Sequence, residues 1–442
     1  MRRFALVALT ATLALAVLSP PLASAQPDSQ PGVDAPELAR FGPSSVGVRS
    51  IRLVERDTPD VLACDRKTGA APARDRILVV DVWYPTRASG PPILYAGALP
   101  SETPGEYARF SIRGAAIEGA APDLSHVHPL VVLSHGYSGS PEAMSWLAEN
   151  LASKGYVVAA PHHDDPQITN AAKFAGPLFL RPLDDAFTAH ALQKMARSGD
   201  PLFAKLVDPD KVALIGYSMG GYGVLTVAGA GVSKQAAAAV PGGYLSPYAN
   251  GGEKRAALQV QGLKAVVAIS PFGGRGSPLV FTPASMIGLR VPTMFIVGSQ
   301  DGVVGYSPGV KTLFDEAVNA PRYLLVFREG GHSIGMDGAP ATMRNKLWDF
   351  DWFEDPVWRK TRVEGVQLHM ITAFLDLYVK GDKSREAYLN VIPNGDDGVW
   401  PDPPGAPYGA YSSGGDGVTL WKGFQRSHAV GLELHYLAPL AP

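Results

Sequence analysis

One cysteine, Cys64, stands in 442 residues. No disulfide can close within such a chain, so its fold has to be stabilised by a packed core. Cys64 lies in a segment rich in Asp and Arg with no paired base beside it, and reads as structural rather than nucleophilic. Charge of one sign is also missing. Thirty-nine Lys and Arg face 41 Asp and Glu, the formal net charge is −2, and no Lys/Arg run occurs. That removes the electrostatic footprint of a nucleic-acid partner. Long apolar runs are absent too: the one at residues 4–18 is shorter than the roughly 20 residues that a membrane span needs. What the chain has is size and apolar content, with 46% hydrophobic residues, 48 glycines and 39 prolines. This is enough for one large domain with embellishments.

At the amino terminus Arg2 and Arg3 precede the apolar run, Pro20 and Pro21 break it, and Ala23-Ser24-Ala25 supplies a small-x-small cleavage pattern. Residues 1–25 are therefore expected to be a secretory signal peptide and the product to be secreted or periplasmic. Residues 26–45, polar and Pro-rich, are expected to form a flexible lead-in. Segments 46–55 and 77–84 ("ILVVDVWY") read as an antiparallel hairpin. From residue 130 strands alternate with helices: strands at 130–134, 156–160, 212–216, 266–270, 292–298 and 323–328, helices near 141–154, 182–198, 308–319 and 366–380. This alternation predicts an α/β fold, a mostly parallel sheet with helices on both faces, over 46–380. Residues 229–262 interrupt it as an insertion. Residues 381–442, rich in Gly and Pro, read as an irregular tail packed on the domain. Asn394, Asp396 and Asp397 in that tail match no calcium loop and read as turn residues.

Within "VALIGYSMGG" a buried strand ends at a glycine, Ser218 follows, and a short apolar helix begins. A Gly-x-Ser-x-Gly turn between strand and helix pushes the hydroxyl out above the sheet. A serine hydroxyl needs a base, a carboxylate to orient the base, and N–H donors for an oxyanion. Asp301 follows the strand "PTMFIVG" and His332 follows "YLLVFR", in the expected chain order. Ser218, Asp301 and His332 are thus the candidate catalytic residues. The N–H of Met219 and that of Tyr137, in the loop of "VVLSHGYSGS", are the candidate oxyanion donors. His135 in the same loop reads as structural. "APHHDDP" offers His162, His163, Asp164 and Asp165. Adjacent ligands on a strand end point opposite ways and no second cluster completes them, so no metal and no cofactor are expected. The aromatic segment "LWDFDWF" (347–353) reads as core or as the wall of a cleft.

"VWYP", "LSHGYSGS", "RPLDDAFTAHALQ", "GYSMGG", "GSQDG" and "GGHS", in this order, resemble the bacterial dienelactone-hydrolase-like proteins related to platelet-activating-factor acetylhydrolase, within the α/β-hydrolases. The resemblance spans roughly 46–380. It implies a calcium-independent serine esterase for short or oxidised acyl esters of small-molecule or lipid-like substrates, with Ser218 as nucleophile, Asp301 as acid, His332 as base, and Tyr137 and Met219 as oxyanion donors. The stretch from His135 to Val158 is also similar to bacterial cutinases and polyester hydrolases, which implies aromatic or polymeric esters instead. A non-catalytic binding protein on the same fold is the reading from a different class. The chain offers no sign of its oligomeric state.

Overall fold

The computed structural model describes residues 27–400, apart from 29 and 278, and residues 418–440. The expected signal peptide and the tail segment 401–417 lie outside the described residues. Twelve strands are described: β1 Ser45–Pro59, β2 Ala73–Thr86, β3 Leu94–Pro100, β4 Tyr107–Arg113, β5 Ile117–Glu118, β6 His128–Ser134, β7 Val157–Pro161, β8 Val207–Tyr217, β9 Leu263–Ile269, β10 Thr293–Gly298, β11 Arg322–Phe327 and β12 Leu432–Leu437. Ten of them form one sheet in the order β12-β11-β10-β9-β8-β6-β7-β2-β1-β5, and β3 pairs with β4 in a separate hairpin. The run from β7 to β11 is parallel, with β2 and β12 antiparallel on its flanks.

Alternation along the strands explains why both faces are covered. Ala213, Ile215 and Tyr217 of β8 point into one apolar layer, with Trp83, Trp146 and Phe374. Val212 and Leu214 point into the other, with Tyr84, Phe179 and Phe295. Period-2 side chains on a strand buried on both sides leave no polar stripe, which is why these strands read as continuous apolar runs. The helix Ala175–Arg197 covers the second layer, with Pro182 inside it; Lys360–Leu375 covers the first. Among the described residues no helix is long and apolar enough to cross a membrane.

Two regions differ from the sequence expectation. The lead-in, expected to be flexible, is tied down: Asn150 donates to the Ala39 carbonyl at 2.9 Å, the Leu38 N–H to His369 at 3.1 Å and the Gly42 N–H to Ser153 at 2.8 Å. Its polar composition hid a helical turn at Glu37–Ala39 that buries Ala39. The tail, expected to be irregular, supplies β12 and buries Trp421 and Phe424. Residues 229–262 contain the helix Lys234–Ala238 and short turns, and Tyr244 and Tyr248 from that region pack edge-on against Phe179.

Candidate active site

Parallel strands carry their loops to one edge of the sheet, where open α/β sheets bind ligands. Ser218 follows β8 with φ 54° and ψ −114°, before the helix Met219–Ala228. That backbone is strained for a residue with a Cβ. The flanking glycines are required by space: a Cβ on Gly216 would run into the Gly220 carbonyl, and one on Gly220 into the Ser134 carbonyl.

His332, beyond β11, places Nε2 3.1 Å from Ser218 Oγ and Nδ1 2.8 Å from Asp301 Oδ2. Asp301, beyond β10, is enclosed, and its other oxygen accepts the N–H groups of Val303 and Val304 at 2.9 Å each. Burial by itself would raise the Asp301 carboxyl. The hydrogen bond and charge of His332, with the Val304 N–H, outweigh it and hold the group below the ordinary aspartate value. The carboxylate therefore favours a proton on Nδ1, leaving Nε2 to accept from the serine.

The loop carrying His332 is held on both sides. Its carbonyl accepts from Tyr217 Oη at 3.1 Å, the Gly331 N–H donates to Asp355 at 2.6 Å, and Lys360 Nζ donates to the Ser333 carbonyl at 2.6 Å. Across the cleft, Arg181 and Asp165 hold the loop 135–140. Among the described residues the N–H groups of Tyr137 and Met219 donate no hydrogen bond. A cleft of about 320 Å³ opens over Ser218 and is walled by Tyr137, Ile168, Val303, Met336, Trp348 and Trp352. All five expected site residues, Ser218, Asp301, His332, Tyr137 and Met219, thus lie in one neighbourhood, and "LWDFDWF" contributes two of the walls.

Sequence reasoning missed the residues behind these loops. Arg181, Asp184 and Asp185 fall at i, i+3 and i+4 on one helix face and are all fully buried. Three charges on the apolar stripe of a helix were the available signal. His135 is structural: Nδ1 lies 2.8 Å from the Gly136 carbonyl and Nε2 accepts from the His163 N–H. "HHDD" separates. His163 turns inward to Ser134 and Asp184, while His162 meets carboxylates from elsewhere in the chain: Asp81 of β2 at 2.9 Å and Glu142 at 3.9 Å. The expectation that no second cluster completes this motif is corrected by that meeting, and Asp81, Glu142 and His162 together could hold a cation.

Residues 122–250 match the family model described as PET hydrolase-like. That segment contains Ser218, Met219 and Tyr137 and ends before Asp301. The chain is 29% identical over 107 residues to cutinase est2 and cutinase est1 of Thermobifida alba, 24% of this chain and 32% of each relative. Cutinase 2 of Thermobifida cellulosilytica is 29% identical over 107 residues, 37% of its length. The chain thus covers about a third of the length of these relatives. Among solved structures, a ferulic acid esterase from Streptomyces cinnamoneus aligns at 20% identity with a TM-score of 0.49, over 78% of this chain and 94% of that one. The sheet order and the glycine-flanked serine turn give this chain an α/β-hydrolase fold, and its residues 122–250 are similar to the PET hydrolase-like family.

Proposed function

We propose that the chain is an exported carboxylic ester hydrolase working through an acyl-enzyme on Ser218. Ser218 Oγ attacks the ester carbonyl while His332 Nε2 takes its proton, and Asp301 holds the ring in the tautomer that can do so. The oxyanion accepts from the N–H groups of Tyr137 and Met219. Collapse expels the alcohol, which receives the proton from His332. Water, deprotonated by His332, then releases the acid and restores the serine. The observation that carries this reading is the hydrogen-bonded series Ser218–His332–Asp301, with Ser218 on a strained turn, beside two N–H groups that have no partner among the described residues.

The cleft walls are apolar and aromatic, which suits a neutral ester with an apolar acyl group. Short or oxidised acyl esters are the first reading of the substrate. Aromatic and polyester substrates are the second, favoured by Tyr137, Trp348 and Trp352 at the cleft and by the PET hydrolase-like match. The test is turnover of p-nitrophenyl esters from acetate to decanoate, with the benzoate, by wild type and Ser218→Ala. A loss of about 10⁴- to 10⁶-fold in Ser218→Ala is expected. Wild type lacking turnover on every ester would leave the non-catalytic binding protein as the better account. The order of kcat/KM across the series separates the two substrate readings.

A further inference from the structure

A trans peptide unit is planar, so its C=O and N–H point opposite ways as one rigid body. The Tyr137 N–H shares such a unit with the Gly136 carbonyl, and whatever grips that carbonyl aims that N–H. Three donors converge on the Gly136 oxygen: Arg181 Nη2 at 2.9 Å, His135 Nδ1 at 2.8 Å and the Gly139 N–H at 3.1 Å. Arg181 Nη1 also donates to the His135 carbonyl, so one guanidinium fork spans two successive peptide units. On the far side of Tyr137, the Ser138 N–H donates to Asp165 at 3.0 Å, and Asp165 is paired with Arg181. Both flanks of Tyr137 are therefore fastened to one buried ion pair.

We propose that Arg181, backed by Asp165, is a positioning residue that aims the Tyr137 N–H at the oxyanion; this rests on the acyl-enzyme reading above. Arg181 does not line the cleft, whereas Gly136 and Tyr137 do. Its side chain is almost wholly enclosed. Taking a charge pair out of water is costly, and well-packed apolar residues commonly serve stability as well or better. Aiming a backbone donor is a task that an apolar side chain at 181 cannot perform. Donation to the Gly136 oxygen also polarises the amide and strengthens the N–H at its other end.

The experiment measures kcat and KM per active site, counted by phosphonate titration, for wild type, Arg181→Met, Arg181→Lys and Asp165→Asn, with inhibition by a trifluoromethyl ketone that forms a tetrahedral adduct on a serine. In Arg181→Met, kcat per site is expected to fall about 10²- to 10³-fold with KM nearly constant, and the ketone to weaken by a similar factor. Arg181→Lys keeps the charge but loses the fork, and is expected to fall about tenfold. A merely structural role would lower the melting temperature and the number of titratable sites, with kcat per site and ketone affinity unchanged; that result overturns the proposal. If Arg181→Met does not fold, Arg181→Lys and Asp165→Asn decide by the same two readouts. Wild type that takes no phosphonate at Ser218 would overturn the acyl-enzyme reading itself.

Discussion

Among the described residues stand two Ser–His–Asp arrays with nearly the same hydrogen bonds. In one, Ser218 Oγ lies 3.1 Å from His332 Nε2, whose Nδ1 lies 2.8 Å from Asp301. In the other, Ser134 Oγ lies 3.0 Å from His163 Nε2, whose Nδ1 lies 2.9 Å from Asp184. Their surroundings differ in three ways. Ser218 sits on a strained turn at a cleft, whereas Ser134 ends a strand and is fully enclosed. The His332 side chain is 17% exposed, and that of His163 is 0%. Most telling is charge. A general base must become an imidazolium during turnover. Burial first, then the guanidinium groups of Arg181 and Arg76, push His163 far below the ordinary histidine range, so it stays neutral. The carboxylate beside His163, Asp184, is already paired with Arg76, whereas Asp301 beside His332 accepts otherwise from uncharged N–H donors. Hydrogen bonds alone do not make a catalytic array; room for substrate and permission to hold a proton complete it.

Breaking each array at its carboxylate gives the largest contrast. Asp301→Asn is expected to lower ester turnover by roughly 10³- to 10⁴-fold with the fold intact. Asp184 also binds Arg76 through two contacts of 2.6 Å. Asp184→Asn therefore strands a buried guanidinium and is expected to cost about 3–5 kcal/mol of stability, with turnover per titrated site unchanged. Kinetics with active-site titration and urea denaturation check both arms. Equal losses of turnover in the two variants would erase the distinction.

A smaller effect sharpens the comparison through pH. Because the His163 value is depressed in the folded state, the unfolded chain binds the proton first as pH falls. Its contribution to stability is full above about pH 6.5 and is lost below, at about 1.4 kcal/mol per pH unit. Other groups titrate in this range, among them half-buried Glu55 and buried Glu149, each raised by burial to about 7. The measurement is therefore a difference. Below pH 6.5 wild type should lose stability relative to His163→Gln by that slope, read from urea titrations at several pH values. A pH-independent difference would mean that His163 takes up a proton in the folded protein.

Ser218, Asp301 and His332 were legible because each is announced by local pattern, an apolar strand that ends at a short turn. The role of Arg181 and Asp165 was not, since it depends on how the helix Ala175–Arg197 docks under the carbonyls of His135 and Gly136, which lie 46 and 45 residues before Arg181. Asp81 reaches His162 only through the antiparallel register that sets Asp81 against Ala160. That register is a property of the assembled sheet. The edge strand β12 was hidden for another reason: "LELHYL" follows a stretch rich in glycine and proline, and Glu433 and His435 break its apolar run, whereas the equally short β10 and β11 carry unbroken apolar runs and are buried throughout. The hairpin of β3 and β4 was missed likewise, its alternation diluted by Gly97 and closed by Pro100.

Labelling the folded protein with a fluorophosphonate and mapping the adduct by peptide mass spectrometry tests the central claim most directly, since both serines have a histidine in reach and only Ser218 opens to the cleft. The account predicts one adduct, on Ser218, with ester turnover lost in proportion to labelling and Ser134 unmodified. An adduct on Ser134, or full turnover with Ser218 occupied, would contradict it.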